Sequence, residues 1–181
     1  LPREEVSPVV RDHGRVIEAE KKRLEQAEHF RSLGLAEKQV TNQDDVTQKD
    51  YLEMALKLDA ANTKAWMSLA TLGGGKVDFQ HFSPRKCLTK AVEMPTASAR
   101  SWCLLGLQGG GLVHGNFISD KDCFERSLAL EATSRAWSCL GTTGGGQVGD
   151  KTFTPKECFE RALKIEGHSP AWIGLGRQGG G

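Results

Sequence analysis

The sequence predicts an all-α fold: an α-solenoid of about four to five stacked helix-turn-helix units with a period of 35–36 residues, preceded by a long N-terminal helix. Three observations carry that reading. Trp66, Trp102, Trp137 and Trp172 stand 36, 35 and 35 residues apart, each followed by Leu at +3 (Leu69, Leu105, Leu140, Leu175) and a small residue at +4 (Ala70, Gly106, Gly141, Gly176). A Gly triplet opens seven residues past each Trp, at Gly73, Gly109, Gly144 and Gly179, and the first three are followed by Val77, Val113 and Val148 and then by Phe82, Ile118 and Phe153. A helix-start signal recurs after each loop. Self-similarity at this period marks arrays in which each unit buries its apolar face only against its neighbours.

Residues 8–33 read as one long charged helix. Ser7-Pro8 starts it, and Val10, Ile17, Leu24 and Ala27 form a roughly heptad-spaced stripe, although Gly14 leaves a break near His13-Gly14 open. The stripe is expected to pack on the first repeat, with a coiled-coil or partner-binding role as the alternative. The helix runs into a drifted first copy in which Phe30, Leu33 and Gly34 stand for Trp, Leu and Gly, and Glu37-Lys38-Gln39 replaces the triplet. The organisation is then 1–34, charged helix and degenerate first repeat; 35–47, linker; and 48–181, repeat array with an incomplete last unit. The array stops where a fifth second helix is due, which points to a piece of a longer protein.

The second helix of each unit has a physical start. Thr47, Ser83, Ser119 and Thr154 occupy one repeat position and can cap the first turn. Pro84 and Pro155 follow where a missing N–H is harmless, and Asp50, Asp122 and Glu157 stand at capping-box spacing. Apolar residues at helical intervals, such as Cys158, Phe159, Ala162 and Leu163, predict helices over 48–58, 84–94, 120–130 and 155–165. The Trp segments predict shorter helices, with Ser134 and Ser169-Pro170 as starts for two of them and the Gly triplet as stop. Between the helices, Gly115-Asn116 and Gly149-Asp150 suit a two-residue turn, whereas Asp78-Phe79 does not. A hairpin and an irregular loop both remain open.

At this point the residues carry a resemblance. Trp-x-x-Leu-Gly, followed some twenty residues later by aromatic-x-x-Ala-Leu, resembles the tetratricopeptide repeat (TPR), and Ala55 to Trp66 is similar to that family's junction between units. The likeness covers about residues 28–181. This sequence departs from the family in placing Gly144 and its equivalents where the first helix normally runs on, and Pro84 or Pro155 early in the second helix. The resemblance implies a non-enzymatic scaffold, binding a peptide segment or packing as a subunit of a larger assembly. Carried over by position, its groove residues are Lys64, Met67 and Thr71; Arg100, Cys103 and Leu107; Arg135, Ser138 and Thr142; and Pro170, Ile173 and Arg177. Lys64, Arg100 and Arg135 form a ladder that could hold an acidic peptide or simply be solvated helix-start charges. The family's carboxylate clamp is not supported, because Thr71, Leu107, Thr142 and Arg177 stand where it has Asn.

Composition narrows the classes. With 24 Lys+Arg against 23 Asp+Glu in 181 residues, net charge +1 gives no reason to expect a nucleic-acid or membrane-surface protein. No apolar run approaches the ~20 residues that span a bilayer. An RNA-binding helical-repeat protein is the alternative reading, because such repeats can also read single-stranded bases. Against it stand the charge balance and the short cation ladder. Five cysteines without C-x-x-C or Cys/His spacing indicate neither metal nor cofactor, and point to an intracellular, cytoplasmic protein. Cys87, Cys123 and Cys158 share one repeat position and are expected in the core.

No enzyme is expected either. Gly75-Lys76 lacks the strand, following Ser/Thr and immediate helix of a phosphate loop, and His13, His29, His81, His114 and His168 occupy unlike positions. A Cys123–His114 pair across neighbouring loops stays open. Glu125, Arg126, Glu160 and Arg161 are expected on a solvated face, and the Trp series in the core.

Overall fold

The structure, a computed structural model, describes residues 8–35, 47–167 and 169–179. The chain is mostly helical, with a small hairpin inside each complete Trp unit. It opens with α1 (Pro8–Leu35) and α2 (Gln48–Leu58). Then come α3 (Thr63–Thr71), β1 (Gly75–Val77), β2 (Gln80–Phe82) and α4 (Pro84–Glu93). The pattern repeats as α5 (Ala99–Leu107), β3 (Gly111–Val113), β4 (Asn116–Ile118) and α6 (Asp120–Leu130). It repeats again as α7 (Ser134–Thr142), β5 (Gly146–Val148), β6 (Lys151–Phe153) and α8 (Pro155–Ile165), and α9 (Ser169–Arg177) comes last. The expected linker over 35–47 lies almost wholly outside the described residues.

The second helices start where their caps predict. Thr47, Ser83, Ser119 and Thr154 each accept the backbone N–H three residues on, and full capping boxes close at Asp50, Asp122 and Glu157. At α4 the third position is Lys86, which cannot return the bond, so that cap is one-sided. The Trp helices begin one residue earlier than Ser134 suggests. Thr133 is the cap of α7, and Ser134 is buried as its first residue.

The Gly triplet converts helix into hairpin, and each glycine does so for a different reason. At Gly144 the chain turns left-handed (φ 98°), its N–H donating to Gly141 O at 3.3 Å while Gly145 N–H donates to Leu140 O at 2.9 Å. These two bonds make a Schellman end, which satisfies carbonyls the helix would otherwise orphan. Gly145 is left-handed too (φ 77°), and a Cβ there would sit on the Phe153 carbonyl of the returning strand. At Gly146 the close neighbours are side chains: a Cβ would meet Leu140 Cδ1 at 2.8 Å and Lys121 Cε at 3.0 Å. The same bonds recur at Gly73-Gly74 and Gly109-Gly110.

All three connectors are antiparallel two-stranded hairpins, pairing Gly75 with Phe82, Gly111 with Ile118 and Gly146 with Phe153. The all-α expectation therefore holds only as "mostly helical". A hairpin forms even at Asp78-Phe79, where both residues take positive φ (48° and 63°) as a type I′ turn demands. His114-Gly115 does the same, while Gly149 alone is positive in the third turn, the sign pattern of type II′. The preceding second helix anchors each hairpin, at its first strand in two copies and at its turn in the middle one. Glu53 accepts from Lys76 N–H (2.6 Å), Glu93 from His114 N–H (3.1 Å) and Glu125 from Gln147 N–H (2.7 Å).

Packing runs in chain order: α1 on α2, α3 on α4, α5 on α6 and α7 on α8, with each second helix also against the next Trp helix. Two core clusters result. One gathers Trp66, Leu69, Cys87 and Leu88; the other Trp137, Leu140, Cys158 and Phe159. Size is matched across each unit. A Cβ on Gly106 or Gly141 would strike the ring of Phe124 or Phe159 (2.6 and 2.7 Å), whereas Ala70 belongs to the unit that carries Leu88. Cys87, Cys123 and Cys158 are fully buried, as their shared position implies.

Two sequence expectations need correction. The stripe on α1 packs only in part: Ala27 is buried, but Ile17 (66%) and Leu24 (42%) stay exposed, and the Val10 side chain lies outside the described residues. Helix length explains it. At 1.5 Å per residue, α1 runs about 42 Å and α2 only about 16 Å, so the first half of α1 overhangs its partner. The helix is continuous through His13-Gly14. The second correction concerns Trp172, which is 62% exposed because no hairpin and second helix cover it among the described residues.

Candidate functional site: a groove along the Trp helices

The starts of α3 and α5, together with the end of α1, enclose a groove of about 620 Å³. Its walls include four residues expected from the sequence, Lys64, Met67, Thr71 and Arg100, and four that were not, Glu28, Arg31, Ser98 and Leu104. Local rules put them there. Asn62 and Ser98 cap α3 and α5 by accepting from Ala65 N–H (3.1 Å) and Ser101 N–H (3.2 Å). This places Lys64 and Arg100 in the first turns, one residue before each buried Ala or Ser, where their side chains point to solvent. Met67 and Leu104 are half-buried and form the apolar floor, and Ser98 Oγ lies 3.9 Å from the Met67 sulfur.

The groove's charge is uneven. Arg31 pairs with Glu28 (2.6 Å), and Asn62 Nδ2 donates to Glu28 at 3.0 Å. The Arg31 hydrogen bond, helped by Asn62 and by the nearby Lys64 charge, holds the Glu28 carboxyl below its ordinary range. Lys64 and Arg100 have no ion-pair partner among the described residues. The groove thus offers two unpaired cations beside an apolar floor, together with two carboxylates that already accept hydrogen bonds, Glu28 from Arg31 and Asn62 and Asp59 from the Ala61 N–H.

The remaining expected residues divide. Arg135 continues the exposed ladder on the first turn of α7; Thr142, Pro170, Ile173 (56%) and Arg177 are exposed, as is Leu107 (43%). Thr71 and Thr142 spend their hydroxyls on Ser68 O and Cys139 O, each at 2.7 Å. Cys103 (5%) and Ser138 (7%) are buried between neighbouring Trp helices and do not line an open surface. Glu28 and Arg31 were missed because the groove positions were carried onto the four Trp helices and not onto the drifted copy at the end of α1, and Leu104 because it stands two residues past Trp102, which is not one of those positions. The capping position four residues before each Trp was the signal available for Asn62 and Ser98.

Several other expectations change. Glu125 is committed to the hairpin backbone rather than to solvent. Arg126 lies over the Trp102 ring at 4.9 Å, and Arg161 over Trp137 at 5.2 Å and Phe153 at 4.4 Å. Arg126, Glu160 and Arg161 are exposed, as expected, and the two guanidinium faces also cover the indoles by cation–π stacking. Cys123 is wholly buried and His114 sits exposed in a hairpin turn, so they make no open nucleophile–base pair. No helix among the described residues is long and apolar enough to cross a membrane. The chain has no significant match among protein-family profiles, curated proteins or solved structures, and the tetratricopeptide likeness rests on the residues quoted above.

Proposed function

We propose that the chain is a non-enzymatic protein-interaction scaffold, an α-solenoid of TPR-like repeats with hairpin connectors, whose groove over α3 and α5 takes an acidic peptide segment of a partner protein. The observation that supports this most is the pairing of Lys64 and Arg100, without ion partners among the described residues, with the apolar floor of Met67 and Leu104. A floor of that kind favours a peptide with apolar side chains between carboxylates. Cations held on adjacent helices can meet those carboxylates with charge-assisted hydrogen bonds. The occupied Glu28 supports the same sign preference, since Arg31 and Asn62 already satisfy it.

Fluorescence anisotropy with labelled peptides alternating Glu and Leu, with their Lys/Leu counterparts, and with a single-stranded RNA is the direct test. The proposal predicts binding of the acidic peptide that survives moderate salt and weakens roughly tenfold or more in Lys64→Glu/Arg100→Glu, in line with loss of two charged hydrogen bonds. Equal binding by the double variant would overturn the groove assignment. Binding of RNA alone, lost at moderate salt, would favour the nucleic-acid reading instead.

A further inference from the structure

Each hairpin is received by the second helix before it, and the receiving residues recur. Lys49 and Glu53 on α2, Arg85 and Thr89 on α4, and Lys121 and Glu125 on α6 occupy the same two repeat positions, one turn apart on one helix face. Against them lies the last glycine of the next triplet. A Cβ on Gly75 would meet Lys49 Cε at 3.1 Å, and one on Gly146 would meet Lys121 Cε at 3.0 Å. On Gly111 it would meet Thr89 Oγ1 at 2.9 Å and Arg85 Cγ at 3.7 Å. Glu53 and Glu125 also accept the N–H of the residue after that glycine, Lys76 or Gln147. Where Thr89 replaces Glu, Glu93 one turn further on accepts from His114 N–H instead.

The returning strand brings the cover for the indole. Gly75 pairs with Phe82 and Gly146 with Phe153, and each Phe ring lies 4.9 Å from the Trp of its unit. The helix after the hairpin adds a guanidinium, Arg126 over Trp102 and Arg161 over Trp137. A second helix and the Trp helix behind it therefore form a socket, and its occupant is a hairpin with the helix that follows.

Helices α8 and α9 build that socket once more. Lys156 and Glu160 stand 35 residues after Lys121 and Glu125, and Trp172 and Leu175 stand where Trp137 and Leu140 do. As α6 packs on α7, so α8 packs on α9. Among the described residues nothing fills this copy. Lys156 and Glu160 are exposed, and the Glu160 carboxylate has neither an ion pair nor a hydrogen bond there. Trp172 is 62% exposed, against 3%, 8% and 4% for Trp66, Trp102 and Trp137.

We propose that the α8–α9 face binds a partner protein through a β-hairpin and following helix of the kind this chain itself carries. The partner supplies a glycine against Lys156, the next N–H to Glu160, and an aromatic residue on its returning strand over Trp172. A second copy of the chain has no hairpin to spare, because Glu53, Glu93 and Glu125 already hold all three. The glycine sets the selectivity, since any side chain there would strike the receiving helix as it would at Gly75 or Gly146. This site shares no residue with the groove over α3 and α5 and stands independently of it.

The probe is a labelled synthetic peptide of residues 145–165, which carries β5, β6 and α8, titrated with the full chain under reducing conditions. The expected result is a saturable rise in fluorescence anisotropy with one peptide per chain. Glu160→Ala in the chain should weaken binding about tenfold, as loss of one hydrogen bond to a charged group does. Circular dichroism should not change, because Glu160 is exposed. In the peptide, Phe153→Ala and Gly146→Val should each weaken binding about tenfold or more. Hydroxyl-radical oxidation of Trp172 should fall as the peptide saturates, while that of Trp66, Trp102 and Trp137 stays constant. Absence of saturable binding, or equal affinity in Glu160→Ala, would overturn the proposal. So would a fall in Trp172 oxidation as the chain alone is concentrated, which would give the face to a second copy.

Discussion

The helices α7 and α9 carry nearly the same message, Ala-Trp-x-x-Leu-Gly, yet Trp137 is 4% exposed and Trp172 is 62% exposed. The difference lies in the chain behind each helix. Behind Trp137 come a Schellman end, a hairpin that sets Phe153 edge-on at 4.9 Å, and α8, whose Arg161 stacks over both rings. Behind Trp172 the described chain has only Gln178 and Gly179 past the end of α9. Burial of the recurring indole is thus a property of the next hairpin and helix, and the Trp helix supplies only the ring.

That comparison can be broken at several points. The largest effect should come from the rings themselves. Trp137→Ala should lower unfolding free energy by roughly 3–5 kcal/mol, and Trp172→Ala by under about 1 kcal/mol, in urea titrations followed by circular dichroism. Next is the connector that carries Phe153. Gly145→Ala must displace the Phe153 carbonyl as well as hold a left-handed alanine, and should cost about 3 kcal/mol, whereas Gly144→Ala, with open space around it, should cost about 1–2 kcal/mol.

A finer contrast lies four residues past each Trp. Gly141→Ala pushes its methyl into the Phe159 ring and should destabilise by about 1–3 kcal/mol; Gly176→Ala meets nothing and should be neutral or stabilising by up to about 0.5 kcal/mol. The smallest effect concerns the cap of α8. The Thr154 N–H and hydroxyl hold the Glu157 carboxylate below its ordinary value of 4.5. A depressed folded-state value means that the stabilisation is present above the unfolded pKa and is lost as pH falls through the folded one. Stability should therefore decline below about pH 4.5, and Glu157→Gln should flatten that part of the curve without abolishing the fold.

What local chemistry determines was legible in the sequence. The caps at Thr47, Ser83, Ser119 and Thr154, the helix bounds and the burial of Cys87, Cys123 and Cys158 come from residue type and period alone. Legibility ended where a neighbour decides. The hairpin at Asp78-Phe79 runs against turn preference, and forms because both strands are held by a helix: Glu53 binds Lys76 N–H, and Phe82 packs on Trp66 at 4.9 Å. Arg126 and Arg161 are exposed as expected, but their stacking on an indole from another helix leaves no trace in spacing. In the groove, Lys64, Met67, Thr71 and Arg100 follow from positions carried over with the family resemblance; Glu28 and Arg31 stand 36 residues before Lys64 and Met67 in the drifted first copy, onto which those positions were not carried.

Hydroxyl-radical footprinting of the native chain, resolved residue by residue by mass spectrometry, tests the stacking account most directly. If each Trp is covered by the hairpin and helix that come after it, Trp172 should be oxidised far faster than Trp66, Trp102 and Trp137, which should resemble one another. Four indoles oxidised at one common rate, fast or slow, would contradict it.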